Sequence, residues 1–173
     1  MAQPASRTPE IHAVRPSPPL DARIADFLAQ RRIAVTGVSA KRSTTGNVIY
    51  RKLKSAGYQV FAVNPTISTF EGEVCYPDLR SIPGGVDGVV VVNRPAVTEV
   101  IARQCVEAGV PRIWMHQSLI RAGTSVSEEA VGFCREHGIT VIPGACPMMY
   151  VRGADFGHRC MRWMLRVTGG LPA

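Results

Sequence analysis

The chain has 173 residues, a formal net charge of +7, 46% hydrophobic residues and 19% charged residues. These values exclude a disordered or fibrous protein and leave room for one domain with a core of its own. No apolar run approaches the roughly 18–20 residues that a membrane span requires, so no contact with a membrane is expected.

Residues 1–20 read "MAQPASRTPEIHAVRPSPPL", with Pro4, Pro9, Pro16, Pro18 and Pro19. The prolines and the lack of periodicity predict an irregular arm. The stretch does not have the basic-then-apolar pattern of an export signal, so a cytoplasmic protein is expected. "LDARIADFLAQRR" puts Leu20, Ile24, Phe27 and Leu28 on one helical face, with Asp21 and Asp26 outside it.

From residue 32 the chain alternates apolar runs with amphipathic segments. "RIAVTGV", "QVFAVN", "DGVVVVN", "RIWMHQ" and "ITVIP" read as strands. They are continuous apolar runs, as a parallel sheet covered on both faces requires. "GNVIYRKLKSAGY" reads as a helix with Val48, Leu53 and Ala56 inward, and "PAVTEVIARQCVEAGV" as a helix entered through a proline. "SVSEEAVGFCREHG" reads as a helix opening on Ser-x-x-Glu and closing on Gly138.

The expected fold is α/β, a doubly wound parallel sheet of five strands with helices on both faces, resembling a Rossmann-type domain. It spans residues 21–148. Residues 64–83 are too long for a simple connection, and a long ordered loop often serves a site. Residues 149–173 are expected to add a helical extension, with Phe156, Cys160, Trp163, Met164 and Val167 at helical spacing.

Cys75, Cys105, Cys134, Cys146 and Cys160 are scattered and include no CxxC pair, so neither a disulfide framework nor a zinc site is expected. His158 and Cys160 lack further ligands at a recognised spacing, and no metal is assigned. No acidic or basic neighbour activates Cys146, which reads as a buried, inert thiol. The Met148-Met149-Tyr150 and Met161, Trp163, Met164 clusters read first as core and second as a homodimer contact.

The basic residues come in ones and twos, and aromatics make up only 6% of the chain. A nucleic-acid partner is therefore not expected. A small anionic ligand needs fewer of these charges. In an open parallel sheet it would sit beyond the C-terminal strand ends, where the chain places Gly37-Val38-Ser39, Asn64-Pro65, Asn93-Arg94-Pro95 and His116-Gln117.

The first of these ends, "TGVSAKRSTTGN", combines a glycine turn with hydroxyls, Lys41 and Arg42, and a helix start at Thr45-Gly46. That is a phosphate-binding composition. It matches neither Gly-x-Gly-x-x-Gly nor the P-loop pattern, and no acid closes the second strand to hold a ribose, which disfavours NAD.

The segments "IAVTGVSAKRSTTGNVIYRKLKSAGYQVFAVNPTISTFEGEVCYPDLRSIPGGVDGVVVV", "RPAVTEVI", "GVPRIWMHQ" and "GITVIPGACPM" together resemble the CoA-binding domain family. Its members are small Rossmann-like proteins similar to the CoA-binding domain of the succinyl-CoA synthetase α subunit and of NDP-forming acyl-CoA synthetases. The resemblance covers residues 31–148. It implies coenzyme A or an acyl-CoA as ligand, held through its phosphates and without catalysis by this chain.

Carried over by position, the resemblance puts Gly37, Val38 and Ser39 at the pyrophosphate, with Lys41, Arg42, Thr45 and Gly46 as phosphate partners. Asn64 and Pro65 would flank the adenosine, Asn93 and Arg94 would face the ligand, and His116 and Gln117 would border the pantetheine arm. Three positions depart from the family. Asn93 stands where a phenylalanine is usual, Trp114-Met115-His116-Gln117 stands for Trp-x-Gln, and Gly144-Ala145-Cys146-Pro147 for Asp-Arg-Cys-Pro. The alternative readings are an NADP-dependent oxidoreductase, with Arg42 near the 2′-phosphate, and a nucleotide-binding subunit of an acyl-CoA synthetase-like complex.

Overall fold

The computed structural model describes residues 18–118 and 123–151. The first helix, α1 (Leu20–Leu28), buries Ile24 and Phe27 as its spacing requires. It also buries Arg23, whose Nη1 donates to the Val141 carbonyl at 2.7 Å. The chain then runs through β1 (Arg32–Thr36), α2 (Thr45–Ser55), β2 (Gln59–Val63), β3 (Thr69–Phe70), β4 (Glu73–Tyr76), β5 (Gly88–Val91), α3 (Pro95–Glu107), β6 (Arg112–Met115), α4 (Glu128–Glu136) and β7 (Thr140–Pro143). A short 3-10 turn, Pro147–Met149, follows.

The strands form a sheet of order β3-β4-β2-β1-β5-β6-β7. All neighbours are parallel except β3 and β4. The five expected strands are its parallel centre, β2-β1-β5-β6-β7. Side chains along them alternate between two cores. Ile33, Val35, Val90, Trp114 and Ile142 face one side with Phe27, Ile49 and Leu53. Ala34, Val89, Val91, Ile113 and Met115 face the other with Ile101, Cys105 and Cys134. Each strand thus buries both of its faces, which is why its sequence reads as unbroken apolar.

Three expectations need correction. Residues 64–83 are not wholly irregular, because the β3-β4 hairpin lies within them and widens the sheet to seven strands. Its two-residue turn is Glu71-Gly72, both at positive φ (52° and 81°), and such tight turns match the twist of the strands they join. The flanking strands are only two and four residues long, too short to show a period. Tyr50, Arg51 and Lys54 of α2 bond or pair with Glu71 and Glu73 and hold the hairpin to the helix.

Val48 points outward and is 42% exposed. The buried residues of α2 are Gly46, Asn47, Ile49, Tyr50 and Leu53; Leu53 is inward as expected, and Ala56 packs against the same core. The cap of α4 is Ser127, whose Oγ accepts from Ala130 N at 3.3 Å. Ser125, which opens the predicted Ser-x-x-Glu, is instead buried beside β6. The closing glycine stands as expected, with Gly138 at φ +72°.

Residues 1–17 of the arm, and Phe156, Cys160, Trp163, Met164 and Val167 of the extension, lie outside the described residues, as do His158 and Met161. Met149 is buried in the core, and Met148 and Tyr150 pack against it. Among the described residues no helix is long and apolar enough to cross a membrane, and no group of three or more His, Cys, Asp or Glu could hold a metal ion.

Candidate functional site

The sheet reverses direction between β1 and β5: from β1 the chain moves first to β2 on one side and later to β5, β6 and β7 on the other. Loops leaving the C-terminal ends of β1 and β5 then diverge to opposite faces and open a crevice between them. A cleft of about 480 Å³ lies at that point, walled by Arg42, Thr44, Thr45, Asn93, Arg94, Val92, Val97, His116 and Ser125 among others. A second hollow of about 460 Å³ lies on the β2 side, bordered by Ser39, Lys41, Arg42, Asn47, Arg51 and Phe70 among others. Arg42 borders both, so the two form one rim.

The turn after β1 is built by close approach. Gly37 has φ +79°, and a Cβ there would stand 2.2 Å from the Val92 carbonyl oxygen. A Cβ on Gly46 would stand 2.6 Å from the Gly37 carbonyl oxygen. The two glycines bring β1, β5 and the start of α2 into backbone contact, and no side chain fits between them. Gly46 is buried by this contact, as is Val38.

Thr44, expected only as one of the hydroxyl donors of the turn, and Asn47, to which no role was given, shape the loop between the glycines. Thr44 caps α2, its Oγ accepting from Asn47 N at 3.1 Å and lying 2.9 Å from the Gly37 carbonyl oxygen. The buried Asn47 amide accepts from Ser39 N at 2.8 Å and donates to the carbonyls of Ser39 and Arg42 at 2.9 and 3.2 Å. Thr44 and Asn47 stand three apart, at the two side-chain positions of a capping box, with Asn47 in place of the usual Glu or Gln. That spacing was the available signal. With the loop held this way, the main-chain N–H groups of residues 42–45 have no acceptor among the described residues, and they lie at the partly positive end of α2.

Asn64 is equally committed. Its Nδ2 donates to the Val38 carbonyl at 2.8 Å, and its Oδ1 accepts from Thr66 N and Oγ at 2.8 Å. It ties the turn after β2 to the turn after β1, and the exposed Pro65 follows it. Asn93 Oδ1 lies 2.5 Å from the Thr36 hydroxyl, which donates to it. Arg94 caps α3 with its main chain and leaves its guanidinium at the cleft. The side chains of Lys41, Arg42 and Arg94 form no ion pair with a described residue.

His116 and Gln117, neighbours in sequence, part company. His116 is 4% exposed and lines the cleft. Burial pushes its imidazole below the ordinary histidine range, so it is neutral at neutral pH. Gln117 is exposed, pairs with Thr124 through its main chain, and does not line the cleft. Ser118 and Thr124, absent from the sequence reading, and Ser125, read there only as the opening of a helix, line the cleft with His116. The Cys146 thiol is buried, and burial raises its pKa against two main-chain hydrogen bonds. Its burial is as the sequence implied. The described cysteines are all free and buried.

A family model described as the CoA binding domain matches residues 31–152. The chain belongs to the CoA-binding domain family. It is 33% identical over 129 residues to the uncharacterized protein YneT of Bacillus subtilis (strain 168), covering 74% of this chain and 91% of that one. It is 28% identical over 118 residues to acetate–CoA ligase [ADP-forming] I of Archaeoglobus fulgidus, covering 66% of this chain but 17% of the ligase. Among solved structures, a hypothetical protein from Pyrococcus horikoshii OT3 superposes with a TM-score of 0.67 at 25% identity, covering 83% of this chain and 94% of that one. The matched family range takes in both glycines of the β1 turn and every described residue named above on the rim.

Proposed function

We propose that this protein binds coenzyme A or an acyl-CoA through its phosphates along the C-terminal rim of the sheet, without chemistry of its own. The observation that carries the reading is the set of unused donors at the switch point. Residues 42–45, with their free N–H groups, and the cations Lys41, Arg42 and Arg94 border the two joined hollows; no acid among the described residues lines the inner cleft, and Glu71, on the outer hollow, is paired with Arg51. A 3′-phospho-ADP group carries several negative charges, and charge-assisted hydrogen bonds of this kind are the strong ones.

In this reading the pyrophosphate lies against residues 42–45, where the helix dipole and the two arginines meet. Lys41 borders the outer hollow and faces the remaining phosphate, beside Arg51, which is paired with Glu71. The pantetheine arm runs past Asn93 and Arg94 toward His116. Gly37, Val38, Gly46 and Asn64 act by shaping the turn, since their own groups are spent within it.

Two charge contacts are removed together in the double variant Arg42→Glu, Arg94→Ala. Hydrogen bonds to charged groups contribute about 1.5–3 kcal/mol each, so CoA affinity should fall by roughly a hundredfold or more. Circular dichroism should report an intact fold, since both side chains are exposed. Unchanged CoA affinity in the folded variant would refute the assignment.

A further inference from the structure

The floor of the cleft carries two polar side chains that the phosphate contacts do not use. His116 is 4% exposed and Ser125 is 3% exposed, and both line the cleft. Their main chains are joined, Ser125 N donating to the His116 carbonyl at 2.8 Å. His116 N in turn donates to the Val91 carbonyl at 2.9 Å. Both residues are therefore fixed to the end of the sheet. Among the described residues, no hydrogen bond is made by the His116 imidazole or by the Ser125 hydroxyl. Neither group is spent on the protein, so this pair is free to meet a group that enters the cleft.

A neutral imidazole has one N–H donor and a hydroxyl has one O–H donor. Two such donors on the wall of one cleft, from residues joined through their main chains, suit an acceptor oxygen. A free thiol is a weak acceptor and satisfies neither well. Among the described residues the rest of the wall is mainly hydroxyl, amide and guanidinium, with apolar side chains from Val92 and Val97, and these form no apolar channel for a long chain.

We infer that His116 and Ser125 together receive the thioester carbonyl oxygen of a short acyl group, so that the cleft selects short-chain acyl-CoA over free CoA. The inference rests on the CoA-binding reading above and names the ligand class for the same site. His116 and Ser125 are then specificity-determining residues, bonded to the ligand and not to the rest of the protein.

Calorimetric titration of the full chain with CoA, acetyl-CoA and octanoyl-CoA tests it. Acetyl-CoA should bind on the order of tenfold more tightly than CoA, the worth of one to two net hydrogen bonds. Octanoyl-CoA should gain nothing further. Ser125→Ala removes one hydroxyl and leaves the packing intact, and it should narrow the acetyl-CoA to CoA ratio to roughly threefold. His116→Leu should abolish the preference, whereas His116→Gln, which keeps an N–H donor, should retain most of it.

Equal binding of CoA and acetyl-CoA would overturn this inference and leave the CoA-binding reading standing. A preference that survives Ser125→Ala and His116→Leu undiminished would overturn the residue assignment. A further gain with octanoyl-CoA would overturn the restriction to short chains. Binding of none of the three ligands would overturn both readings.

Discussion

The two ends of the sheet treat their polar residues in opposite ways. At the N-terminal end the charges are spent on the protein. Arg32 donates to the carbonyls of Gly85 and Pro83 at 2.8 and 2.6 Å and to Gln59 at 3.0 Å, and Asp87 accepts from the N–H groups of Arg31 and Arg32 at 3.1 and 2.8 Å. Arg112 holds Asp26 of α1 by two bonds of 2.6 and 3.1 Å. At the C-terminal end Lys41, Arg42, Arg94, His116 and Ser125 border open space with no such partners among the described residues. Composition alone does not distinguish the two ends, since both are basic. What separates them is whether the donors are already bonded, and only the unspent end is available to a ligand.

The contrast predicts that substitutions at the N-terminal end cost stability and those at the rim cost affinity. The largest effect is expected where the rim is itself built by packing. Gly37→Ala places a Cβ against the Val92 carbonyl in a left-handed backbone, and should cost about 3 kcal/mol or prevent folding. Chemical denaturation measures it, and a loss under 1 kcal/mol would mean that the turn is not rigid. Next, Arg32→Ala strips three bonds from the base of the sheet and should lower stability by about 2 kcal/mol with CoA affinity unchanged.

At the rim itself the order should invert. Arg42→Ala, which touches both hollows, should weaken CoA binding about tenfold, and Lys41→Ala, which touches one, by only a few-fold. Neither should shift the unfolding midpoint measurably, because neither side chain is bonded within the protein. Equal losses of affinity at the two positions would erase the distinction between the hollows.

The smallest effect is a titration. The Arg112 guanidinium bonded to Asp26 holds its carboxyl below the usual carboxylate range. A carboxyl depressed on folding adds stability above its unfolded pKa, and that stability is lost as pH falls through the folded pKa. The pair is partly exposed and screened by solvent, so Asp26→Asn should cost less than about 1 kcal/mol at neutral pH. The difference from the unaltered protein should vanish in acid, as denaturation curves at two pH values would show.

The parallel centre of the sheet was legible because strands buried on both faces leave unbroken apolar runs such as "GVVVV", and because Pro95 and Gly138 mark helix ends. The hairpin was not, since strands of two and four residues show no period and Glu71-Gly72 is a weaker turn signal than Asn-Gly. Val48 was misplaced in α2, though Leu53 and Ala56 were not, because Gly46 and Asn47 take the inward places at the helix start for reasons of turn geometry and not of hydrophobicity.

For the site, glycines and cations announce themselves in sequence. Asn64 was placed at the right strand end, but its amide is bound to the neighbouring turn, a role visible only in three dimensions. Ser125 was read as a helix opening because Glu128 follows it at capping-box spacing, and only the fold bonds it to His116 at the cleft.

The central claim is that the unspent rim recognises the phosphates of coenzyme A. Calorimetric titration with CoA, 3′-dephospho-CoA, NAD and NADP in turn tests it most directly. The account predicts that CoA binds, that removing the 3′-phosphate weakens it, and that NAD gives no heat, since no acid closes β2 to hold its ribose. Binding of NAD or NADP with none of CoA would contradict it, and would mean that the same fold and the same free donors serve a different nucleotide.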